Sequence, residues 1–422
     1  MKYNTIKTIF LMTFALAFSF NSNSQVISDS INMSAGYSNQ VFYNIATGTK
    51  TSSNSAEWDL QFFSSLYSVS IRTNSGFGVE LYDPANSDTA NFTSTTIDTV
   101  GATRLRDGNI SWEQDAFTAS ATGHPNYGWG KYGGSGNITG IKVFIIKLTS
   151  GVFKKIWIRE FKNTGNATFS VANLNGSSMV TKTINRSTYS TKRHFFYDIE
   201  NDSIYNPEPA KADWDFVFKK YEENLGGGSY YKVAGALSNY NTGIAEVANT
   251  LTTTAKSNWN TYTLDSSINV FGSDWKAYSF SPPPGGWVIT DSLSYIITAK
   301  SGDVYQIIFT GTGGSGNGKM YFTKEIIAFA SIEETSPFKN IGVYPNPVQN
   351  TLNINFELNN TQNKVSFTLI DVNGRIISRA SNNNVSTGFN LGEMDMSNLQ
   401  SGIYFLRINT DNYSETKRII KQ

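Results

Sequence analysis

The sequence predicts an all-β protein: two tandem duplicated β domains followed by a small C-terminal β-sandwich. Three observations lead there. The 422 residues are rich in Phe (28), Tyr (22) and Gly (35), together with Ser, Thr and Asn, and contain few apolar runs of helical period. A set of aromatic motifs occurs twice, at an offset of about 150 residues, too long a period for a solenoid. Near the C-terminus, three stretches alternate strictly between apolar and polar residues, the signature of half-buried strands.

Residues 1–24 begin with Lys2 and Lys7, continue through an apolar run from Ile9 to Phe20 and end in small polar residues. That pattern is a secretory signal peptide, too short to span a membrane. No Cys follows to hold a lipid, and no second apolar run reaches spanning length, so no transmembrane segment is expected. With no Cys at all, stability must come from packing and strand pairing, and thiolate chemistry is excluded. The net charge of +1, without a basic block, argues against nucleic acid as a partner, because phosphate binding needs concentrated positive charge.

The first domain is expected over 25–180 and the second over 181–330. Phe42, Tyr43 and Ile45, followed by Trp58, Asp59, Leu60, Gln61 and Phe62, match Phe196, Tyr197 and Ile199, followed by Trp214, Asp215, Phe216, Val217 and Phe218. Both read F-Y-x-I and then W-D-φ-x-F. Alternation puts Trp58, Leu60 and Phe62 on one face of a strand and Asp59 and Gln61 on the other. Trp129 and Tyr132 match Trp275 and Tyr278. Two hairpins complete the match, Val143 to Ile158 and Tyr295 to Phe309, with Gly151 and Gly302 supplying the positive φ of a tight turn. Asp59 and Asp215 are carboxylates at equivalent positions, which points to a structural role in each repeat rather than to a catalytic pair.

A polar joint, 331–340, leads to the C-terminal domain at 341–422. There Tyr344, Pro345, Asn346 and Pro347 precede the alternating stretches Leu352 to Leu358, Val365 to Asp371 and Gly402 to Ile408. Val372, Asn373, Gly374 and Arg375 form a turn, Leu399, Gly402 and Tyr404 follow, and the chain ends Lys417, Arg418, Ile419, Ile420, Lys421 and Gln422. This order resembles the type A C-terminal sorting domain of the type IX secretion system of Bacteroidetes. The resemblance implies export through the periplasm to the outer-membrane surface or the medium, with the secretion machinery as partner.

The repeat unit resembles the HmuY family of haem-binding surface proteins. The likeness rests on F-Y-x-I before W-D-φ-x-F, on Ser70 to Gly76 (S-I-R-T-N-S-G) and on the hairpin from Tyr295 to Ile308. It covers most of 38–170 and, less completely, 194–325, where no R-T-N-x-G follows the second W-D-F-V-F. It implies an all-β fold and haem held by two axial side chains, commonly His or Met. The chain has two histidines. His124 lies in G-H-P-N-Y-G-W-G among aromatic residues, and His194 precedes a strand as a strand-edge residue. No family ligand motif aligns on either, so no metal ligand is assigned. His124, Tyr127, Trp129 and Tyr132 are the candidate ligand-binding residues, since aromatic faces bind flat or sugar-like ligands.

No G-x-S-x-G elbow accompanies either histidine, and the glycine run Gly311 to Gly318 lies between two strand patterns rather than ahead of the helix of a phosphate loop. No catalytic residues are assigned. The expected function is a non-enzymatic secreted or cell-surface binding protein for haem, another hydrophobic ligand or a glycan. The alternative is a structural or adhesive surface protein without a small-molecule site.

Overall fold

The computed structural model describes residues 25–85, 88–281, 285–329, 336–411 and 413–422. The predicted signal peptide and residues 331–335 of the predicted joint lie outside the described residues. The chain divides into two compact units, Met1–Ala330 and Ser331–Gln422.

The all-β expectation holds, but the strands of the first unit are partitioned differently from the sequence repeats. One lobe pairs an eight-stranded sheet built around Phe153–Phe161 with a four-stranded sheet in the order Ser203–Tyr205, His194–Asp198, Leu60–Phe63, Ile71–Thr73. The other lobe pairs a five-stranded sheet, Ile27–Asn32, Lys319–Ala328, Val304–Thr312, Ser294–Thr298, Ile244–Val247, with a four-stranded one. That second sheet runs Tyr230–Ser238, Phe216–Asn224, Asn39–Tyr43, Lys50–Asn54. The first F-Y-x-I strand therefore pairs with the second W-D-φ-x-F strand, Phe42 opposite Val217. The second pairs with the first, Phe196 opposite Gln61. A boundary between 180 and 181 consequently falls inside the first lobe, which runs on to Tyr205. The second lobe is completed by 27–54, from the start of the described chain.

Each lobe has its own aromatic core, with Leu60, Phe62, Trp129, Phe169 and Tyr197 in the first and Tyr43, Phe216, Phe218, Trp275 and Phe322 in the second. Between them Phe42, Phe63, Trp112, Trp214, Val217 and Ile268 form a shared apolar seam. This explains why Leu60–Phe63 is buried at every position. Alternation correctly sends Leu60 and Phe62 into the core, but the opposite face, carrying Gln61, meets the seam rather than water. Trp58 packs edge-on against Phe196 at 4.9 Å, and Trp214 against Phe42 at 5.1 Å, the same contact made twice. Gly151 (φ 88°) and Gly302 (φ 92°) turn the two hairpins as predicted.

The C-terminal unit stacks a three-stranded sheet on a four-stranded one. Leu352, Ile354, Phe356 and Leu358 alternate inward to meet Val365, Phe367, Leu369, Leu406 and Ile408. Its sequence motifs meet in space. Asn346 donates from Nδ2 to the Arg418 carbonyl (2.9 Å) and accepts the Ile420 N–H at Oδ1 (2.8 Å), tying the Y-P-N-P segment to the last strand. The Asp371 carboxylate accepts the backbone N–H of Asn373 and of Arg375, both at 2.9 Å, and the Arg375 Nε–H at 2.8 Å, closing the N-G-R turn in which Gly374 has φ 80°.

Candidate functional site

The loop carrying His124 brings three of the four predicted residues together. The His124 ring centroid lies 5.1 Å from that of Tyr132, and His124 Nδ1 is 3.2 Å from the Tyr127 hydroxyl. Tyr132 is fixed in turn because its hydroxyl accepts the Gly136 N–H at 3.2 Å. His124 is exposed and the two tyrosines half-buried, so the group forms an aromatic shelf on the surface. Trp129 does not belong to it. Its indole is fully buried in the first core, 4.7 Å from Phe161, and its Nε1–H donates to the Val69 carbonyl at 3.0 Å. The backbone explains the inward turn: Gly128 has φ 84°, and a Cβ there would stand 2.8 Å from the Phe117 carbonyl oxygen, so only glycine lets the loop press onto the core. Trp275 is buried in the matching way, 4.1 Å from Phe309.

His194 stands at the start of its strand, His194–Asp198, as expected, but that strand is an interior one. His194 lies opposite Phe63, fully buried at the seam, with Nδ1 2.7 Å from Glu208 Oε2. Burial lowers its pKa, outweighing the upward pull of Glu208. Glu208 also accepts the Arg193 N–H at 2.8 Å, which places this pair in the packing of the first lobe. The same seam buries Arg72 and Lys219. Desolvation, reinforced by Arg72, pushes the Lys219 ammonium down to about 7.

The equivalent carboxylates act as backbone clamps. Asp59 accepts N–H groups from Thr149 (3.1 Å) and Ile199 (2.9 Å), and Asp215 accepts those of Lys300 (2.6 Å) and Ile45 (2.7 Å). Each thereby ties a W-D strand to the Gly-turned hairpin and to the end of the F-Y-x-I strand that pairs with it. Burial raises both pKa values, against the lowering effect of these bonds. Asn74 of the R-T-N-S-G motif donates from Nδ2 to the carbonyls of Ser55 (2.6 Å) and Trp58 (2.8 Å). Asn239 does the same to Lys211 (2.9 Å) and Trp214 (2.8 Å), so the second lobe keeps the asparagine stitch although the surrounding motif is missing.

A concave site that the sequence did not reveal opens between the two sheets of the first lobe. Its volume is about 380 Å³, with Val152, Phe169, Val171, Val180, Tyr197 and Ile199 along its walls. Ala172, Lys154, Ser178, Lys182, Glu200 and Asp202 complete the lining. Lys182 Nζ pairs with Asp202 at 3.0 Å, and the Tyr197 hydroxyl also donates to Asp202. Lys154 Nζ meets the neutral Asn173 Oδ1 at 2.5 Å, and Glu200 accepts the Ser150 hydroxyl at 2.7 Å. Among the described residues no group of acidic and His side chains is arranged to hold a metal ion.

These features define an all-β protein with a separate terminal sandwich. Residues 342–422 match the secretion system C-terminal sorting domain family. The chain is accordingly a secreted or cell-surface protein, and among the described residues no helix is long and apolar enough to cross a membrane. No curated protein matches. Among solved structures, similarity is found to a Bacteroides fragilis protein assigned as a lipoprotein, at 12% identity and a TM-score of 0.19, covering 38% of this chain and 89% of that one. It is found also to dimeric latent PorU of Porphyromonas gingivalis, at 10% identity and a TM-score of 0.18, covering 68% and 31% respectively. A third is PorZ of the same organism, a surface component of the type IX secretion system, at 11% identity and 0.16, covering 78% and 42%.

Proposed function

We propose that the protein is a non-enzymatic binding protein, carried through the periplasm by the type IX secretion system and displayed at or released from the cell surface. The sorting domain carries this reading, since its family match coincides with a folded sandwich in which Y-P-N-P and the basic end are hydrogen-bonded together. The engagement of Asp59, Asp215 and His194 in structural hydrogen bonds supports binding over catalysis. The HmuY resemblance of the repeats and the exposed shelf of His124, Tyr127 and Tyr132 support a hydrophobic, haem or glycan ligand. Deleting residues 336–422 is expected to leave the first unit folded but retained in the periplasm; efficient secretion of that truncation would contradict the export reading. Haem titration followed by visible absorption, and glycan-array binding, test the shelf with His124→Ala as control.

The exchanged strands favour a second reading, a structural or adhesive spacer. A pair of lobes closed by each other's sequence repeats is suited to bear load as one body. Flat haem and glycan responses from a secreted, folded protein would favour it.

A further inference from the structure

The two lobes provide an internal comparison for the 380 Å³ cavity. In the first lobe Val171 pairs with Ile156 on one side and Val180 on the other. In the second lobe Lys324 holds the same place, between Ile307 and Ile27. Two residues along, Phe169 faces Lys182 and Phe322 faces Asp29. A tyrosine packs edge-on against each phenylalanine, Tyr197 at 5.0 Å and Tyr43 at 5.3 Å. Counting from the glycine turns, Lys154 corresponds to Tyr305.

In the second lobe this mouth is plugged. Lys324 is 5% exposed, donates from Nζ to the Ile45 carbonyl at 2.5 Å and lies 5.3 Å from the centre of the Tyr43 ring. Tyr305 is 8% exposed, and Asp29 takes the Tyr43 hydroxyl at 2.6 Å and Lys50 at 2.5 Å. In the first lobe Val171 is too short to reach across, Lys154 turns to Asn173, and the space stays open. Val152 (45%) and Val180 (49%) remain exposed beside it. Protein interiors close voids of this size when nothing is meant to enter.

We infer that this cavity is a binding site for a short apolar peptide of two or three residues with free termini. The volume lies at the lower end of small-molecule pockets, roughly 300–1,000 Å³. The walls are aliphatic and aromatic, and Asp202 is already neutralised by Lys182. Lys154 and Glu200 instead have neutral partners, and among the described residues neither is ion-paired. The lining thus offers one cation for a carboxylate and one anion for an ammonium, with apolar surface for side chains. A fatty carboxylate would satisfy only half of that set.

The assignment rests on the binding reading above. Calorimetry on the mature chain, residues 25–422, with the tripeptide Leu-Phe-Leu, its N-acetyl and C-amide forms, and dodecanoate tests it. The free tripeptide is expected to bind at least tenfold more tightly than either blocked form. Val171→Lys, which installs the residue of the plugged lobe, is expected to weaken binding tenfold or more while the melting curve stays unchanged. Lys154→Met is expected to abolish the preference over the C-amide, and Glu200→Gln that over the N-acetyl form. Equal binding of blocked peptides, binding of dodecanoate in preference to the tripeptide, or indifference to Val171→Lys would overturn it. A flat peptide titration alongside a positive haem or glycan response removes the cavity assignment alone; flat responses to all three remove the binding reading as well.

Discussion

The first lobe is completed by strands that follow it in the chain, the second by strands that precede it. Val180–Asn185 and His194–Asp198 close the first, whereas Ile27–Asn32 and Asn39–Tyr43 close the second. The unit that repeats in sequence and the unit that packs in space are therefore out of frame by three strands. Ile27–Asn32 thereby joins the sheet of Val304–Thr312 and Lys319–Ala328, and the two lobes share buried surface along the seam. Where the lobes differ, as at Val171 and Lys324, the shared frame shows which difference is local and not a consequence of architecture.

The largest effect is expected from deleting residues 25–54. The second lobe would lose one edge of its five-stranded sheet and half of its four-stranded sheet, including Tyr43 and Val41 from the core. Hydrogen exchange should show 216–328 losing protection while 60–205 retains most of its own. Equal loss in both lobes would show that the seam, more than strand exchange, sets stability.

Asp59→Ala and Asp215→Ala should cost similar amounts, about 3 kcal/mol each in urea unfolding, because each leaves two backbone N–H groups without an acceptor. Markedly unequal costs would break the equivalence of the lobes.

Lys219→Met tests the seam with a smaller and pH-dependent effect. With the folded pKa near 7 against an ordinary 10.5, the unfolded chain binds more protons between those values. The stability of the parent protein should therefore rise with pH across that window relative to Lys219→Met, whose own stability lacks this contribution. The ring contacts with Trp58 (5.0 Å) and Trp112 (5.9 Å), lost in the substitution, offset part of any gain at pH 7. A pH-independent difference between the two melting temperatures would contradict a desolvated Lys219. Least affected of all should be His124→Ala on the surface shelf, below about 0.5 kcal/mol in the same urea assay.

Strand identities, the two glycine turns and the terminal sandwich were legible in the sequence because alternation and turn chemistry are local. Partners were not. Alternation fixes which face of Leu60–Phe63 enters the core but says nothing about which copy of F-Y-x-I lies beside it. Polar strands such as Ile376–Val385, mostly exposed at an edge of the terminal sandwich, lack the apolar contrast that would mark them. Trp129 was misread because an aromatic residue among loop glycines resembles a surface platform, whereas Gly128 allows the loop to press that ring inward. The cavity was invisible because it depends on Val171 being shorter than a lysine 153 positions later, a comparison that needs the paired registers.

The strand exchange is tested most directly by disulfide trapping, for which the cysteine-free chain is a ready background. Ser28 lies opposite Thr323 of the second lobe, and the counterpart of Thr323 in the first lobe is Ser170. Oxidation of Ser28→Cys/Thr323→Cys should give an intramolecular cross-link, seen by mass spectrometry and as faster migration on a non-reducing gel, while Ser28→Cys/Ser170→Cys stays reduced. Cross-linking of the second pair and not the first would place Ile27–Asn32 within its own sequence repeat and contradict the exchanged frame.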